Sequence, residues 1–156
     1  MRLLLAIALL FTLSACGSDA PPAQPPAPEF RTDGVLDFVA PDGTPVKRIA
    51  IEIAETDSAR AMGLMNRPGM AEQAGMLFIM DTEEPQRFWM RNTLMPLDLF
   101  FADDSLRIVA IRPDNRSVSD EGIESVVPAR YVVETRAGFG ARYGIEEGYR
   151  IQWRRQ

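Results

Sequence analysis

Short stretches of alternating apolar and polar residues recur along the chain after its first 30 positions. The clearest is residues 46–55, where isoleucines stand at every second position from 49 to 53 and give a strand one apolar face. The pair Asp42 and Gly43, a strong turn signal, separates this stretch from the apolar residues 35–40. The pattern therefore predicts a β-hairpin near the start of the folded region.

The remaining pattern predicts further short strands and one helix. The strands are predicted at residues 76–80, 87–91, 97–102, 106–112, 124–127, 131–136 and 149–154. The helix is predicted over residues 58–65, with Thr56 or Asp57 as its N-cap. Eight or nine short strands with one or two small helices are typical of an antiparallel β-sandwich or a compact barrel. We therefore expect residues 30–156 to form one mainly β domain.

The first residues have a different character. The apolar run at residues 3–13 is too short for a stable membrane span but has the length of a signal-peptide core. The sequence LSAC at positions 13–16 resembles the lipobox of bacterial lipoproteins, in which the cysteine becomes lipid-modified. We expect a lipoprotein signal peptide at residues 1–15 and lipidation of Cys16. The alternative is an ordinary cleaved signal with an unrelated cysteine.

A proline-rich segment follows Cys16 and has no large apolar residue before residue 30. Such a composition buries too little surface to fold, so residues 16–29 are expected to form an extended tether. Gly17 stands where an Asp favours retention in the inner membrane, which favours the outer membrane for this chain. The expectation is an exported lipoprotein of the cell envelope that faces the periplasm and contacts the membrane through its N-terminal lipid.

Composition excludes several classes of function. The chain has no histidine, so Ser-His-Asp and Cys-His catalysis and imidazole metal sites are excluded. Its single cysteine leaves no intramolecular disulfide. The formal net charge of −5 argues against nucleic acid as a partner, because a phosphate backbone is bound by clustered excess positive charge. No cofactor is expected.

Several motifs together resemble the DUF192 family of uncharacterised bacterial and archaeal proteins. The motifs are Arg60 with GLMNR at 63–67, GMLF at 75–78, FWMRNTLMPLD at 88–98, and YVVE at 131–134 with Ala137-Gly138. The resemblance covers roughly residues 46–151. It implies a mainly β, sandwich-like domain that is often exported, and it implies no established activity.

The link between the strands predicted at 87–91 and 97–102 carries an unusual set of polar and aromatic residues. In one interpretation they serve the turn, since Asn and Thr side chains bond nearby backbone groups. In the other they converge with two arginines near the helix on one rim, where an aromatic platform and a guanidinium suit sugars or anionic groups. The candidate ligand-binding residues are Arg60, Arg67, Trp89, Arg91, Asn92 and Asp98.

Two alternative functions arise from other residues. Asp98 and Glu134 are candidate catalytic carboxylates for a histidine-free glycan hydrolase. Met65 and Met90 belong to a methionine-rich region and are candidate Cu(I) ligands, although methionine also simply packs in cores. The favoured hypothesis remains a non-catalytic binding module for an envelope glycan, an anionic ligand or a protein partner.

Overall fold

The structure, a computed structural model, describes residues 28–156. The predicted signal peptide, Cys16 and most of the predicted tether therefore lie outside the described residues. The elements, in chain order, are β1 (Gly34–Val39), β2 (Pro45–Ala54), α1 (Asp57–Met62), β3 (Ala74–Phe88), β4 (Leu97–Ala102), β5 (Ile108–Asn115), β6 (Ile123–Arg136), α2 (Phe139–Tyr143) and β7 (Arg150–Arg155). The prediction of a mainly β domain with one or two short helices is confirmed.

All seven strands form one sheet in the order β5-β4-β6-β3-β2-β1-β7. Neighbouring strands are antiparallel except β2 and β3, which are parallel and are connected through α1. The sheet curls so far that its two ends meet. The amide of Ile108 donates to the carbonyl of Tyr149, and that of Ile151 to Leu106, both at 2.8 Å. The result is a half-barrel, closer to the compact barrel of the two predicted alternatives than to the sandwich.

One face of the sheet, here called the inner face, carries a core to which all seven strands contribute. Its members are Leu36, Phe38, Ile49, Ile51, Ile53, Leu77, Phe100, Ala102, Ile108, Val133, Phe139, Ile145 and Ile151. The three isoleucines of the alternating stretch in β2 all lie here, as their spacing predicts. Phe38 and Phe100 meet edge to face with ring centroids 5.1 Å apart. Phe139 of α2 packs against both rings.

The opposite face, here called the outer face, carries a second core. It includes Met76 and Phe78 of β3 and Val132 of β6. Leu64, after α1, and Met90, after β3, pack onto the same cluster. The loops that follow α1 and β3 therefore cover the outer face, and the central strands are buried on both sides.

The helix α1 begins as predicted and ends earlier. The hydroxyl of Thr56 accepts a hydrogen bond from the amide of Ala59 at 3.2 Å, so Thr56 is the N-cap. The helix ends at Gly63, whose φ of 47° and ψ of −134° leave the helical region. The predicted extension to residue 65 is wrong for this reason.

Two pairs of predicted strands are continuous. The segment predicted at 76–80 and the start of the one predicted at 87–91 lie in one strand, β3, which ends at Phe88, so the predicted strand over residues 89–91 is wrong. The segments predicted at 124–127 and 131–136 both lie in β6. The intervening residues of β3 are mostly exposed and polar, which is typical of a turn in a sequence, yet the ladder resumes at Glu84 opposite Ala129 after a shift in register. This ladder extends the sheet beyond its core.

A buried ion pair fastens the loop after α1 to the outer face. The guanidinium of Arg67 donates two hydrogen bonds to the carboxylate of Glu52 on β2, at 2.6 and 2.9 Å. Glu52 is fully buried and Arg67 is 6% exposed. The backbone amide of Arg31 donates a further hydrogen bond to Glu52 at 2.9 Å. Bidentate geometry of this kind compensates the desolvation of both charges.

We predict that Arg67→Ala lowers the free energy of unfolding by about 3–5 kcal/mol, because it leaves the buried Glu52 carboxylate without its bidentate partner, and the exposed Arg31 guanidinium at 3.6 Å compensates it only weakly. The double variant Glu52→Leu/Arg67→Met removes both charges and is expected to lose markedly less. Urea unfolding of the full-length chain measures both values. A loss below about 1 kcal/mol in Arg67→Ala contradicts the assigned role of the pair.

Candidate functional site

A cavity of about 220 Å³ opens on the outer face between α1, the loop after it, β3 and β6. Its wall is mostly apolar, with aromatic and thioether side chains, and its polar groups are two arginines, a threonine and one carboxyl group. The residues that define it here are Met65, Phe78, Met80, Phe88, Trp89 and Glu134. We call it the Glu134 pocket. An apolar cavity with few polar groups is the usual form of a small-molecule site.

Glu134 lies on β6 with apolar neighbours on both adjacent strands. Its register partners are Met76 on β3 and Leu99 on β4. The residue is 5% exposed, and within residues 28–156 its carboxyl group makes no hydrogen bond or ion pair. Burial raises the pKa of Glu134 to about 8, because the charged form loses its hydration. At neutral pH the side chain therefore mostly holds its proton.

Glu52 provides a comparison on the same face. It is the register partner of Met76 on the other side, so Glu52, Met76 and Glu134 form one row across β2, β3 and β6. The two glutamates are roughly 10 Å apart at this strand spacing. Glu52 has the guanidinium of Arg67, whereas Glu134 faces the cavity. A strongly perturbed carboxyl group in a cleft is a candidate for function.

Arg60 lines the pocket, but its guanidinium is engaged elsewhere. Its Nη1 donates to the carbonyls of Glu55 and Ile79 at 2.8 and 2.9 Å. Its Nη2 donates to the carboxylates of Asp57 and Asp81 at 2.5 and 3.1 Å. Arg60 therefore ties α1 to the sheet and positions one wall of the pocket.

The loop after β3 places Trp89 at the pocket, with 48% of the residue exposed. The Arg91 guanidinium lies 5.3 Å from the centroid of the Trp89 ring and donates to Asp120 at 2.7 Å. Asn92 has a φ of 55°, and its carbonyl accepts a hydrogen bond from the amide of Asn66 at 2.8 Å. Asn92 thus serves the turn, while Trp89 and Arg91 present an exposed surface.

Asp98 does not join this rim. It lies in β4, is 1% exposed, and its carboxylate accepts hydrogen bonds from the backbone amides of Asp114, Gly138 and Gly140 at 2.8, 3.2 and 3.0 Å. These bonds join β4 to the end of β5 and to the start of α2. Of the six predicted ligand-binding residues, the structure brings Arg60 and Trp89 to one pocket, with Arg91 and Asn92 adjoining. Arg67 and Asp98 are buried in other contacts.

The two candidate catalytic carboxylates also lie apart. Asp98 is opposite Thr135, and Leu99 is opposite Glu134, so their side chains leave opposite faces of the sheet. Asp98 reaches Gly140 beside Phe100 on the inner face, and Glu134 lines the pocket on the outer face. Paired carboxylates of a glycosidase must flank one bond, and the structure does not bring these two together.

The candidate copper ligands are likewise separated. Met65 lines the Glu134 pocket, whereas Met90 is 1% exposed and borders another cleft beside Arg112 and Asn115. Met80 is the methionine that shares the pocket with Met65. Among the described residues, no group of three or more His, Cys, Asp or Glu side chains is placed to hold a metal ion.

Sequence reasoning missed Glu52 and the aromatic wall formed by Phe78 and Phe88. Glu52 follows the alternation of β2, so the pattern indicates a solvated residue, although a loop buries it. Glu134 carried a visible signal, since it continues the apolar run of β6. A single acidic residue within an apolar strand is therefore the feature of the sequence that points to this pocket.

Comparison with known proteins identifies the family to which this domain belongs. Residues 38–153 match the DUF192 family, described as an uncharacterized ACR. The chain belongs to the DUF192 family. No curated protein matches it. Within the described part of the DUF192 chain, residues 28–156, no helix is long and apolar enough to cross a membrane.

Two solved structures resemble the DUF192 domain. One, from Sinorhizobium meliloti 1021 and named as a candidate transcription regulator, has a TM-score of 0.75 and 32% identity, over 78% of this chain and 93% of its own. The other, a protein of unknown function from Novosphingobium aromaticivorans DSM 12444, has a TM-score of 0.72 and 28% identity, over 76% of this chain and 84% of its own. Both support the family fold.

The raised pKa of Glu134 has a measurable effect on stability. Below the ordinary glutamate pKa both folded and unfolded chains hold the proton, and as pH rises toward 8 only the unfolded chain releases it readily. We therefore predict that wild-type stability falls by about 3 kcal/mol between pH 5 and 8 relative to Glu134→Gln. Urea unfolding at several pH values tests this. Parallel pH profiles for the two chains contradict it.

Proposed function

We propose that this DUF192 protein is an exported lipoprotein of the cell envelope and that its β domain is a binding module whose ligand enters the Glu134 pocket. The observation that carries the proposal is the carboxyl group of Glu134, buried without a partner among the described residues and open to an apolar cavity. A buried polar group of this kind is costly for the fold unless a partner arrives.

Binding is favoured over catalysis by the inventory of the pocket. Among the described residues that line it, Glu134 is the one acidic group. The guanidinium of Arg60 is engaged by two carbonyls and two carboxylates, so it is not free to activate a substrate. Acid–base hydrolysis of a glycan needs a second carboxyl group within reach of the first. Because the described lining offers one, the pocket is better suited to binding a ligand than to hydrolysing it.

The surroundings of the pocket offer additional contact area. Trp89, Leu94 and Val118 are about half or more exposed. The amide of Val118 donates to the carbonyl of Thr93 at 3.0 Å, which holds the two loops together. Exposed aromatic and aliphatic side chains beside a small cavity suit a larger envelope component, such as a glycan or a protein, that inserts one group.

A role in transcription, which the name of the Sinorhizobium relative suggests, is disfavoured for this chain. The net charge of −5 and the predicted export of this chain both disfavour a role on nucleic acid. Attachment through Cys16 and the tether at residues 16–29 instead supports a place at the membrane surface, facing the periplasm, with the outer membrane favoured by Gly17.

We predict that the wild-type chain incorporates labelled fatty acid and partitions with membranes, because several acyl chains on Cys16 give stable anchoring at about 0.8 kcal/mol per buried methylene. Cys16→Ser is expected to lose both the label and the membrane partition. Expression in a bacterial host, followed by fractionation, measures this. Unlabelled wild-type protein in the soluble fraction contradicts the lipoprotein assignment.

We predict that an envelope ligand raises the thermal unfolding midpoint of the full-length chain and that Trp89→Ala removes most of this effect. A ligand at a hundredfold excess over its Kd stabilises the native state by about 2.7 kcal/mol. The screen uses envelope oligosaccharides and extracts of envelope proteins. Val126→Ala, at an exposed position in the β6 ladder, is the control. An equal shift in Trp89→Ala places the binding elsewhere, and no shift with any component opposes a binding role.

A further inference from the structure

We propose that the Glu134 pocket receives a cationic head group, an ammonium or guanidinium carried on an apolar stem. This inference rests on the proposed function, since it names the ligand class of the same pocket. It is argued from the unpartnered acid, the engagement of the nearby arginines and the chemistry of the walls.

The outer face itself contains a model for such a site. Glu52 and Glu134 flank Met76 in one row, and both are buried. At Glu52 a guanidinium supplies two hydrogen bonds at 2.6 and 2.9 Å. Beside Glu134, the place equivalent to that of the Arg67 guanidinium is part of the cavity. A carboxylate on this face thus acquires a cation from the protein in one position and lacks one in the other.

The arginines near the pocket do not fill this place. Arg60, from α1, is held by five oxygen atoms of four other residues. Arg87, from β3, has 68% of its side chain exposed and lies 3.9 Å from Glu124. Arg67, from the loop after α1, is bound to Glu52. In the proposal, the ligand supplies the counter-charge for Glu134.

The walls suit a cation on an apolar stem. Phe78 and Phe88 meet edge to face with centroids 5.0 Å apart, and Trp89 stands beside them. Aromatic faces attract cations, and the Arg91 guanidinium already lies over Trp89 on the solvent side. The flexible thioethers of Met65 and Met80 adapt to an aliphatic stem.

Proton release accompanies this binding. Free Glu134 holds its proton because burial raises its pKa to about 8, and the cation displaces that proton to solvent as the carboxylate forms. The charged groups that face the pocket from α1 and β3 are Arg60 and Arg87. Asp57 and Asp81 are paired with Arg60. Affinity is therefore expected to rise about tenfold per pH unit between pH 6 and 7.

The test is calorimetric titration of the full-length chain with three ligands of one shape. n-Butylguanidinium carries the charge, n-butylurea is neutral and valerate is anionic. The cation is expected to bind at least tenfold more tightly than the other two. Glu134→Gln, checked for folding by circular dichroism, is expected to lose both this preference and the pH dependence. Glu146→Gln, an exposed control, is expected to behave as wild type.

A second arm identifies the source of the cation. Peptides with a central arginine are compared with the same peptides containing glutamine. Binding of butylguanidinium and of the arginine peptides supports the proposal, and peptide binding alone indicates a basic side chain of a protein partner. If the neutral or anionic analogue binds as well as the cation, the charge inference is overturned while a binding pocket remains. No binding in either arm also overturns the inference. The thermal-unfolding screen with envelope components then tests the proposed binding function independently.

Discussion

The central strands of the curled sheet are buried on both faces, and this burial governs how each polar side chain within them is accommodated. Two cores cover the two faces of β4, where all six residues are buried. Three acids lie in this environment: Glu52, Asp98 and Glu134. A buried charge is tolerated only with compensating partners. The domain's chemistry follows from how each of the three is satisfied.

The three acids have three different solutions. Glu52 has a bidentate guanidinium, and Asp98 has three backbone amides that join β4 to β5 and α2. Both arrangements connect distant parts of the chain, so they explain the fold. Glu134 has neither and opens to a cavity instead. Of the three buried acids, Glu134 is the one without such a partner, and a functional site is expected where a local rule is broken in this way.

Much of the fold follows from local pattern, whereas of the site only the acid at Glu134 does. Alternation predicts the β1–β2 hairpin, and Thr56 is recognisable as an N-cap. The pocket depends on the order of the strands, which places β6 between β3 and β4. It also depends on the register of β4 and β6, which places the side chains of Asp98 and Glu134 on opposite faces of the sheet. A shift of one residue in register reverses that placement. No local signal in the sequence fixes it, so the predicted convergence with Asp98 did not form.

The unfavourable burial of the Glu134 carboxylate connects the proposed ligand binding with the stability of the domain. Burial of Glu134 lowers the stability of the domain as pH rises. In the proposed complex, a cation replaces the proton of Glu134 and gives it the kind of partner that Glu52 already has. The bound form is then the one in which all three buried acids are satisfied. Stability is thus lower in the free protein because the fold leaves room for a charge that it does not itself provide.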